Sequence, residues 1–188
     1  MRLDSFIGKR VRLRAIEPSD LDTIYAWEND PVLSLSNNLR APISKHQLKH
    51  FISQNKGAID PKSSGNLHLI IEKFSHPSNL PVGVISLYNY DSYHRRVAIG
   101  MLISPSYQGK GYAKETVSLM LNYVFRDLRL HQIYAEILSS NQPALILYQS
   151  KGFKRVATLP EWYWDGQAYE DLHLLQLTES GYHAEDYI

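Results

Sequence analysis

The chain has 188 residues, of which 44% are hydrophobic and 11% aromatic, and its formal net charge is +1. A chain of this length and composition can bury a sizeable core, so we expect one domain spanning residues 1–188. Its 20 basic and 19 acidic residues are interspersed. No basic run is long enough to follow a nucleic-acid backbone, which argues against nucleic acid as a partner.

The sequence contains no cysteine, and this excludes several kinds of site. Disulfides, cysteine-ligated zinc and a cysteine nucleophile are all ruled out. The first 20 residues carry charge throughout and lack the apolar core of a signal peptide, and no segment approaches about 18 unbroken apolar residues. The sequence therefore predicts a cytoplasmic protein without a membrane span.

The first third of the chain predicts one strand and two helices. Apolar residues alternate with arginine over residues 10–14, which is the period of a half-buried strand. Helix-start residues at 17–20 precede an apolar stripe at helical spacing. A second helix is expected after Ser44, because Gln47 completes a capping box. Its apolar side is formed by Leu48, Phe51 and Ile52. Residues 57–66 are rich in turn formers and predict an exposed loop.

The middle of the chain predicts an antiparallel meander. Three β-rich runs cover residues 67–74, 81–90 and 95–104, and turn-forming segments separate them. The third run is apolar at nearly every position from Val97 to Ile103. We therefore expect this strand to be buried on both faces.

The last third alternates helix and strand. Apolar residues recur at helical spacing over 113–128, which predicts a helix lying on the sheet. Residues 132–138 predict a strand, and Asn141 is a good N-cap for a helix running to Lys151, followed by Gly152 in the left-handed conformation.

Near the end of the chain, Asp165-Gly166 lies between two β-rich segments. This dipeptide predicts a hairpin closed by a type I′ turn. The aromatic segment EWYW just before it, residues 161–164, is expected to be exposed. Exposed aromatic residues mark either a contact in a homo-oligomer or a wall of a binding site, and the sequence leaves both open.

A glycine-containing turn, YQGKGYAKE at residues 107–115, joins the third β-rich run to the following helix. A P-loop and a dinucleotide fingerprint both require a small residue where Lys114 stands, so both motifs fail. Gly111 would let a ligand approach the backbone, and Ala113 would let the helix pack closely. The amides from Gly109 to Ala113 lie at a helix N-terminus and would suit a pyrophosphate. Alone, the pattern also fits an ordinary strand-to-helix turn.

A second pattern follows one strand later, where Tyr148 stands seven residues after Asn141. This spacing is two helical turns, so both side chains lie on the same face. Together the two patterns resemble the GNAT superfamily of acyl-CoA-dependent N-acetyltransferases. In that family Q/R-x-x-G-x-G/A binds the CoA pyrophosphate, and this chain matches it with Gln108, Gly111 and Ala113. The family signature N-x-x-A…Y…G-F appears as Asn141, Ala144, Tyr148, Gly152 and Phe153.

The resemblance covers nearly the whole chain and implies the GNAT fold. That fold is of the α/β (α+β) class, with a mixed, mostly antiparallel central sheet of about six to seven strands flanked by about four helices. The implied co-substrate is acetyl-CoA, and no metal is implied. The residues implied to bind it are Met101, Leu102, Ile103, Gln108, Gly109, Lys110, Gly111, Tyr112, Ala113, Lys114 and Asn141. Tyr148 is implied as the catalytic acid towards the departing thiolate.

The implied reaction is direct attack of a primary amine on the acetyl thioester while both substrates are bound. An alkyl amine with a pKa near ~10.4 is neutral to only about one part in 2,500 at pH 7, so losing its proton costs roughly 4.6 kcal/mol. No residue identifies itself as the base. Glu136 and His94 are two candidates, and a relay through ordered water is preferred. A backbone N–H near Leu102 would stabilise the oxyanion by ~3 kcal/mol.

The sequence does not distinguish between a protein N-terminus and a small-molecule amine as the acceptor of the acetyl group. Several segments are similar to the GNAT branch of ribosomal-protein N-terminal acetyltransferases and spermidine N-acetyltransferases. Spermidine relatives carry a glutamate pair between the first two helices, and residues 33–44 here have none. The polyamine alternative would need other carboxylates. Those available are Asp91, Glu161, Glu170 and Asp171. An acyl-CoA-binding sensor without turnover would be expected to lose Tyr148 or the glycine turn.

Overall fold

The computed structural model describes residues 6–34, 41–55 and 66–183. Its strands are β1 (Val11–Ala15), β2 (Leu67–Lys73), β3 (Leu80–Asp91), β4 (Arg96–Ile103), β5 (Gln132–Leu138), β6 (Lys154–Trp164) and β7 (Tyr169–Thr178). Its helices are α1 (Leu21–Glu28), α2 (Pro31–Ser34), α3 (Lys45–Gln54), α4 (Tyr112–Asn122) and α5 (Gln142–Gln149). The loop predicted at 57–66 lies, except for its last residue, outside the described residues, as do residues 35–40 of segment 33–44.

The strands form one sheet in the order β1-β2-β3-β4-β5-β7-β6. Every neighbouring pair is antiparallel except β4 and β5, which are parallel and connected through α4. The predicted meander corresponds to β2, β3 and β4. The prediction of a mixed, mostly antiparallel α/β fold is confirmed. Within the described residues, no helix is long and apolar enough to cross a membrane.

Helices cover both faces of the sheet. The larger hydrophobic cluster includes Val117 of α4, Leu145 of α5 and Ile71 of β2. The smaller cluster packs Ile24 of α1 and residues of α3 against Ile70, the neighbour of Ile71. Successive strand residues point to opposite faces, so α4 and α5 lie on one side and α1 and α3 on the other.

β4 and β5 separate part-way along their length. They pair only where Arg96–Ala98 faces Gln132–Tyr134. Beyond Ala98, β4 remains paired with β3, and β5 remains paired with β7. The prediction that β4 is buried on both faces is therefore wrong for residues 100–102, which are half-buried. The cause is the gap that opens along one edge of the strand.

Three local predictions also need correction. The β6–β7 hairpin is confirmed, but Trp164 pairs with Tyr169, so the loop has four residues and is not a two-residue type I′ turn. Phe51, predicted on the apolar side of α3, is 37% exposed. α5 ends at Gln149, two residues before the predicted end, while Gly152 has the predicted left-handed conformation with φ of 82°.

Candidate active site at the gap between β4 and β5

A cavity of about 740 Å³ opens where β4 and β5 separate. Its walls come from both faces of the sheet, since α1 contributes on one side and α5 on the other. The lining side chains discussed below are Glu28, His68, Ser86, Tyr88, Met101, Leu102, Glu136, Asn141, Tyr148, Trp162 and Tyr163. The cavity therefore passes through the sheet and can hold two molecules that meet inside it.

Met101 and Leu102 form the open edge of β4 beside this cavity. Because β5 has turned away, backbone N–H and C=O groups on this edge have no strand partner within the described residues, and they can pair with an extended, amide-containing ligand. Ile103 follows, and its side chain is buried in the larger cluster. The Gln108 side chain donates a hydrogen bond of 2.9 Å from Nε2 to the carbonyl of Ile103, which ties the end of β4 to the glycine turn.

The glycine turn positions the N-terminus of α4. Gly109 and Gly111 have φ of 70° and 82°, in the left-handed region. Among the described residues, no atom would lie within 4 Å of a Cβ on Gly109, so this side of the turn is open to a ligand in that part of the chain. Tyr112, Ala113 and Lys114 form the first turn of α4. The N–H groups of a first helical turn have no partner inside the helix and carry partial positive charge, which suits an anion.

Arg10, just before β1, holds this turn from behind. Its Nη2 donates a 2.8 Å hydrogen bond to the carbonyl of Lys110, and its guanidinium lies 4.7 Å from the ring centre of Tyr112. Its backbone N–H donates to Glu115 at 2.8 Å. Lys110 adds a hydrogen bond of 2.7 Å from Nζ to the carbonyl of Ser106. Sequence reasoning missed Arg10, because 100 residues separate it from Lys110.

Tyr148 is presented to the cavity by α5. The Asn141 side chain caps this helix by accepting a 3.2 Å hydrogen bond from the backbone N–H of Ala144. Tyr148 is only 4% exposed, and its ring packs edge-on against Phe153 at 5.1 Å between centroids. Burial, with a smaller contribution from Tyr88, raises the pKa of Tyr148 above its ordinary value. Its phenol is therefore protonated at neutral pH and available as a hydrogen-bond donor.

The opposite end of the cavity carries several ionisable groups. Burial disfavours the charged form of a side chain, so it raises the pKa of Glu28 and lowers the pKa of His68. Burial, the Glu136 carboxylate and Tyr134 raise the pKa of Tyr88 to about 12. The ring nitrogen Nδ1 of His68 lies 2.8 Å from the hydroxyl of Ser86. This end offers hydrogen-bonding groups and carboxylates to a polar acceptor.

Comparison with known protein families identifies the family to which this chain belongs. Residues 10–154 match the family model described as acetyltransferase (GNAT) domain. The chain belongs to the GNAT family of acetyltransferases. The predicted superfamily is therefore confirmed, and with it acetyl-CoA as the co-substrate.

Individual GNAT relatives agree with this assignment. Spermidine N(1)-acetyltransferase of Vibrio cholerae is 31% identical over 101 residues, which cover 54% of this chain and 58% of that protein. The prophage-derived N-acetyltransferase YokL of Bacillus subtilis is 23% identical over 91% of each chain. The solved structure of the Vibrio cholerae spermidine N-acetyltransferase with CoA and spermine has a TM-score of 0.82 and 24% identity, covering 93% of this chain and 98% of that one. This likeness shows the shared GNAT fold.

The structure divides the predicted GNAT site residues into two groups. Met101, Leu102, Asn141 and Tyr148 line the cavity. The second group is the glycine turn and the first turn of α4, outside the cavity at the far end of β4. It comprises Gln108, Gly109, Lys110, Gly111, Tyr112, Ala113 and Lys114. Ile103 stands between the two groups, with its side chain in the core.

The acceptor side differs from the sequence expectations. Glu136 lines the cavity, but His94 lies in the exposed turn between β3 and β4, where its backbone N–H donates to Asp91 at 2.8 Å. Among the described lining residues, the carboxylates are Glu28 and Glu136. None of the four carboxylates named for a polyamine belongs to that group. They are Asp91, Glu161, Glu170 and Asp171.

Glu28 and His68 were missed, although each left a signal in the sequence. Glu28 is the last residue of α1, where the helix dipole disfavours a carboxylate, so a purely structural role is a poor explanation. His68 is two residues before Ile70 in a strand, which places it on the face covered by α1 and α3. Of the segment EWYW, Trp162 and Tyr163 line the cavity, whereas Trp164 contacts Tyr169 at 4.9 Å between ring centroids.

Proposed function

We propose that this protein acetylates a primary amine by direct attack on acetyl-CoA while both substrates are bound. The gap between β4 and β5 carries the proposal, because it leaves a free strand edge beside the buried phenol of Tyr148. The glycine turn at the end of the same strand supplies backbone amides for the pyrophosphate. A donor held at both points would extend along β4 into the cavity.

Once the amine is neutral, the chemistry needs two contributions from the protein. A neutral amine attacks the thioester carbonyl carbon, and a backbone N–H near Leu102 stabilises the oxyanion. Collapse of the intermediate breaks the C–S bond and releases a thiolate. Transfer of a proton from a phenol with a pKa near ~10 to a thiolate whose thiol has a pKa near ~8.5 is uphill by about 2 kcal/mol, and burial of Tyr148 increases this cost. Tyr148 therefore acts as a hydrogen-bond donor to the sulfur.

The far wall of the cavity supports two classes of acceptor. A protein N-terminus or a small-molecule amine fits the mixture of aromatic and polar lining residues. A polyamine is the second candidate, supported by the carboxylates of Glu28 and Glu136 and by the spermidine acetyltransferases among the relatives. A single domain over residues 1–188, a cytoplasmic location and self-assembly into a homo-oligomer remain predictions from the sequence.

A thiol-release assay tests the proposal. Acetyl-CoA is supplied with a panel of polyamines, amino acids, aminoglycosides and peptides with free N-termini. We expect turnover with at least one amine. Replacement of Tyr148 by Phe removes the hydrogen bond to the leaving sulfur and should lower kcat by roughly 10- to 1,000-fold, while acetyl-CoA binding is retained.

The matched control is Tyr123→Phe, because Tyr123 is equally buried, at 4% exposure, and lies in the larger cluster away from the cavity. This variant should keep the wild-type kcat. Wild-type turnover by the Tyr148→Phe variant would refute the role of Tyr148. Tight acetyl-CoA binding without turnover on any amine would favour an acyl-CoA sensor.

A further inference from the structure

His68 and Ser86 form a hydrogen-bonded pair in the wall of the cavity. Nδ1 of His68 lies 2.8 Å from the hydroxyl oxygen of Ser86. The two residues are directly opposite each other on β2 and β3, and Ser86 is in turn opposite Gly100 on β4. Neighbouring strands are ~4.8 Å apart. The pair therefore forms a row across the sheet that points to the open edge of β4.

Gly100 keeps this row open at the edge of the gap. It has no side chain to stand between the Ser86 hydroxyl and the gap. A Cβ at this position would lie 3.2 Å from the ring carbon Cε1 of Tyr88, so the Tyr88 ring already occupies the adjoining space. A hydroxyl at position 86 is thus accessible from the part of the cavity where an amine must stand to reach a ligand on β4.

We propose that His68 accepts the ammonium proton of the acceptor through the hydroxyl of Ser86. This inference rests on the proposed acetyl transfer. The ammonium gives one proton to Ser86 Oγ while the Ser86 proton passes to His68 Nδ1. The freed lone pair of the amine forms the C–N bond, and the C–S bond breaks. The second proton of the attacking nitrogen ends on the CoA sulfur, and His68 later releases its proton to solvent.

The surroundings of His68 keep its imidazole neutral, which is the form that can accept a proton. The ring of Phe51 from α3 packs edge-on against the imidazole at 4.9 Å between centroids. This burial lowers the pKa of His68, so the imidazole is neutral and can accept a proton at neutral pH. The other titratable groups that face the cavity, among the described residues, are Glu28 from α1, Tyr88 from β3, Glu136 from β5, Tyr148 from α5 and Tyr163 from β6.

The alternatives are less suited to this step. Tyr88, with its pKa raised to about 12, is protonated and cannot serve as a base at neutral pH. For Glu28 and Glu136, no hydrogen bond to a second lining side chain provides a path within the described residues. The His68–Ser86 hydrogen bond joins two lining side chains and gives such a path.

The pH dependence of kcat/KM tests the proposal. In the wild type, a base takes the proton from the ammonium form, so kcat/KM should be level from about pH 7 towards the amine pKa and should decline in acid. In His68→Gln, only the free amine reacts. Its kcat/KM should be 10²- to 10³-fold lower at pH 7 and rise tenfold per pH unit towards the amine pKa. Acetyl-CoA affinity should be unchanged in both proteins.

Two further variants separate a relay from a structural contact. Ser86→Ala should show the same altered profile, and the double variant should lose no more activity than the worse single variant, because both residues act in one path. His94→Gln, in the exposed turn, should keep the wild-type rate and profile. An unchanged profile in His68→Gln, or losses that multiply in the double variant, would overturn the proposal.

The outcomes also distinguish this inference from the proposed function. A wild-type protein that releases thiol with an amine, together with an unaltered His68→Gln profile, overturns the relay alone. A wild-type protein that releases no thiol with any amine overturns the acetyl transfer and the relay together.

Discussion

At the scale of single residues, burial shifts the pKa values of several side chains in the cavity in the direction that favours their neutral forms. It raises the pKa of Glu28 and Tyr148 and lowers that of His68. The same environment acts on a bound amine, because loss of hydration disfavours its charged form as well. Burial in the cavity therefore lowers the free-energy cost of deprotonation, which is roughly 4.6 kcal/mol for an alkyl amine in water at pH 7.

The first prediction concerns Gly111. A methyl group there must adopt a φ of 82° and would lie 3.3 Å from Nη1 of Arg10. We expect Gly111→Ala to lower the free energy of unfolding by about 1–2 kcal/mol and to weaken acetyl-CoA binding, because the turn shifts. Denaturant unfolding and calorimetric titration measure the two effects.

Gly166→Ala is the matched control for this prediction. Gly166 also has a positive φ, of 109°, but a Cβ there has no atom within 4 Å, and it lies in the β6–β7 loop. This variant should lose stability and keep its acetyl-CoA affinity. Unaltered affinity in Gly111→Ala would show that the turn does not hold the donor.

Individual site residues were predictable only where the signal is local. Asn141 and Tyr148 lie seven residues apart on one helix, so their spacing alone places them on one face. Ser86 is 18 residues from His68, and their contact depends on the register between β2 and β3. Composition and periodicity carry no information on that register, which is why the pair was not predicted.

At the scale of elements, a buried ionic network joins β1, β2 and the turn before α1. Glu72 accepts hydrogen bonds of 2.6 Å from Arg12 and from Arg14. Arg14 also donates two hydrogen bonds, of 2.7 and 2.8 Å, to Asp20. Glu72 and Asp20 are both buried. The network fixes the start of α1, which ends at the cavity with Glu28.

The second prediction is an acid-sensitive stability that depends on this network. Burial alone would raise the pKa of Glu72 and Asp20, but the hydrogen bonds from arginine outweigh it and lower both values. A carboxylate with a lowered pKa in the folded state stabilises the protein above its unfolded pKa, near ~4, and loses that contribution as the pH falls. Unfolding free energies measured from pH 7 to pH 2.5 should decline below about pH 4.5.

Glu72→Gln should lower the free energy of unfolding by about 1–3 kcal/mol at pH 7, because the buried arginine contacts lose their charged partner. Its stability should then depend less on pH in the acid range. Asp22→Asn is the control, since Asp22 pairs with Lys45 on the surface, and it should leave the unfolding midpoint nearly unchanged. Equal acid sensitivity in Glu72→Gln and the wild type would contradict the assignment.

The sequence predicted the type of most elements, but it did not predict where neighbouring strands separate. The apolar run of β4 correctly indicated an interior strand. Whether its edge faces a strand or a ligand leaves no mark on residues such as Met101 and Leu102, since both environments favour the same apolar side chains. The gap arises because β5 stays paired with β7 along its length and with β4 only at its start. This pairing depends on β7, which lies near the C-terminal end of the sequence.

At the scale of the whole molecule, the two helical layers are unequal. Among the described residues, the cluster on the side of α4 and α5 contains 28 buried side chains, and the cluster on the side of α1 and α3 contains five. A layer with few buried contacts opens at a lower free energy than the rest of the fold. From the described residues, we therefore expect the acceptor end of the cavity to be built on the layer that opens more readily.

The third prediction is a difference in hydrogen exchange between these layers. Backbone amides of α3 should exchange faster than those of α4 in the free protein. Acetyl-CoA should slow exchange at the first turn of α4 and at the open edge of β4, and an amine substrate should slow exchange in α1 and α3. Exchange in α3 as slow as in α4 would contradict the unequal layers.

The limited pairing of β4 with β5 also has a mechanical consequence. Only three residue pairs join the two strands within the described residues. The sheet therefore consists of two parts, β1–β4 and β5–β7–β6, connected by this short paired segment. A thioester bound between the two parts would push them apart, and we expect the angle between them to increase with the bulk of its acyl group. The length of acyl chain that the protein accepts would then depend on the stiffness of this paired segment as well as on the side chains that line the gap.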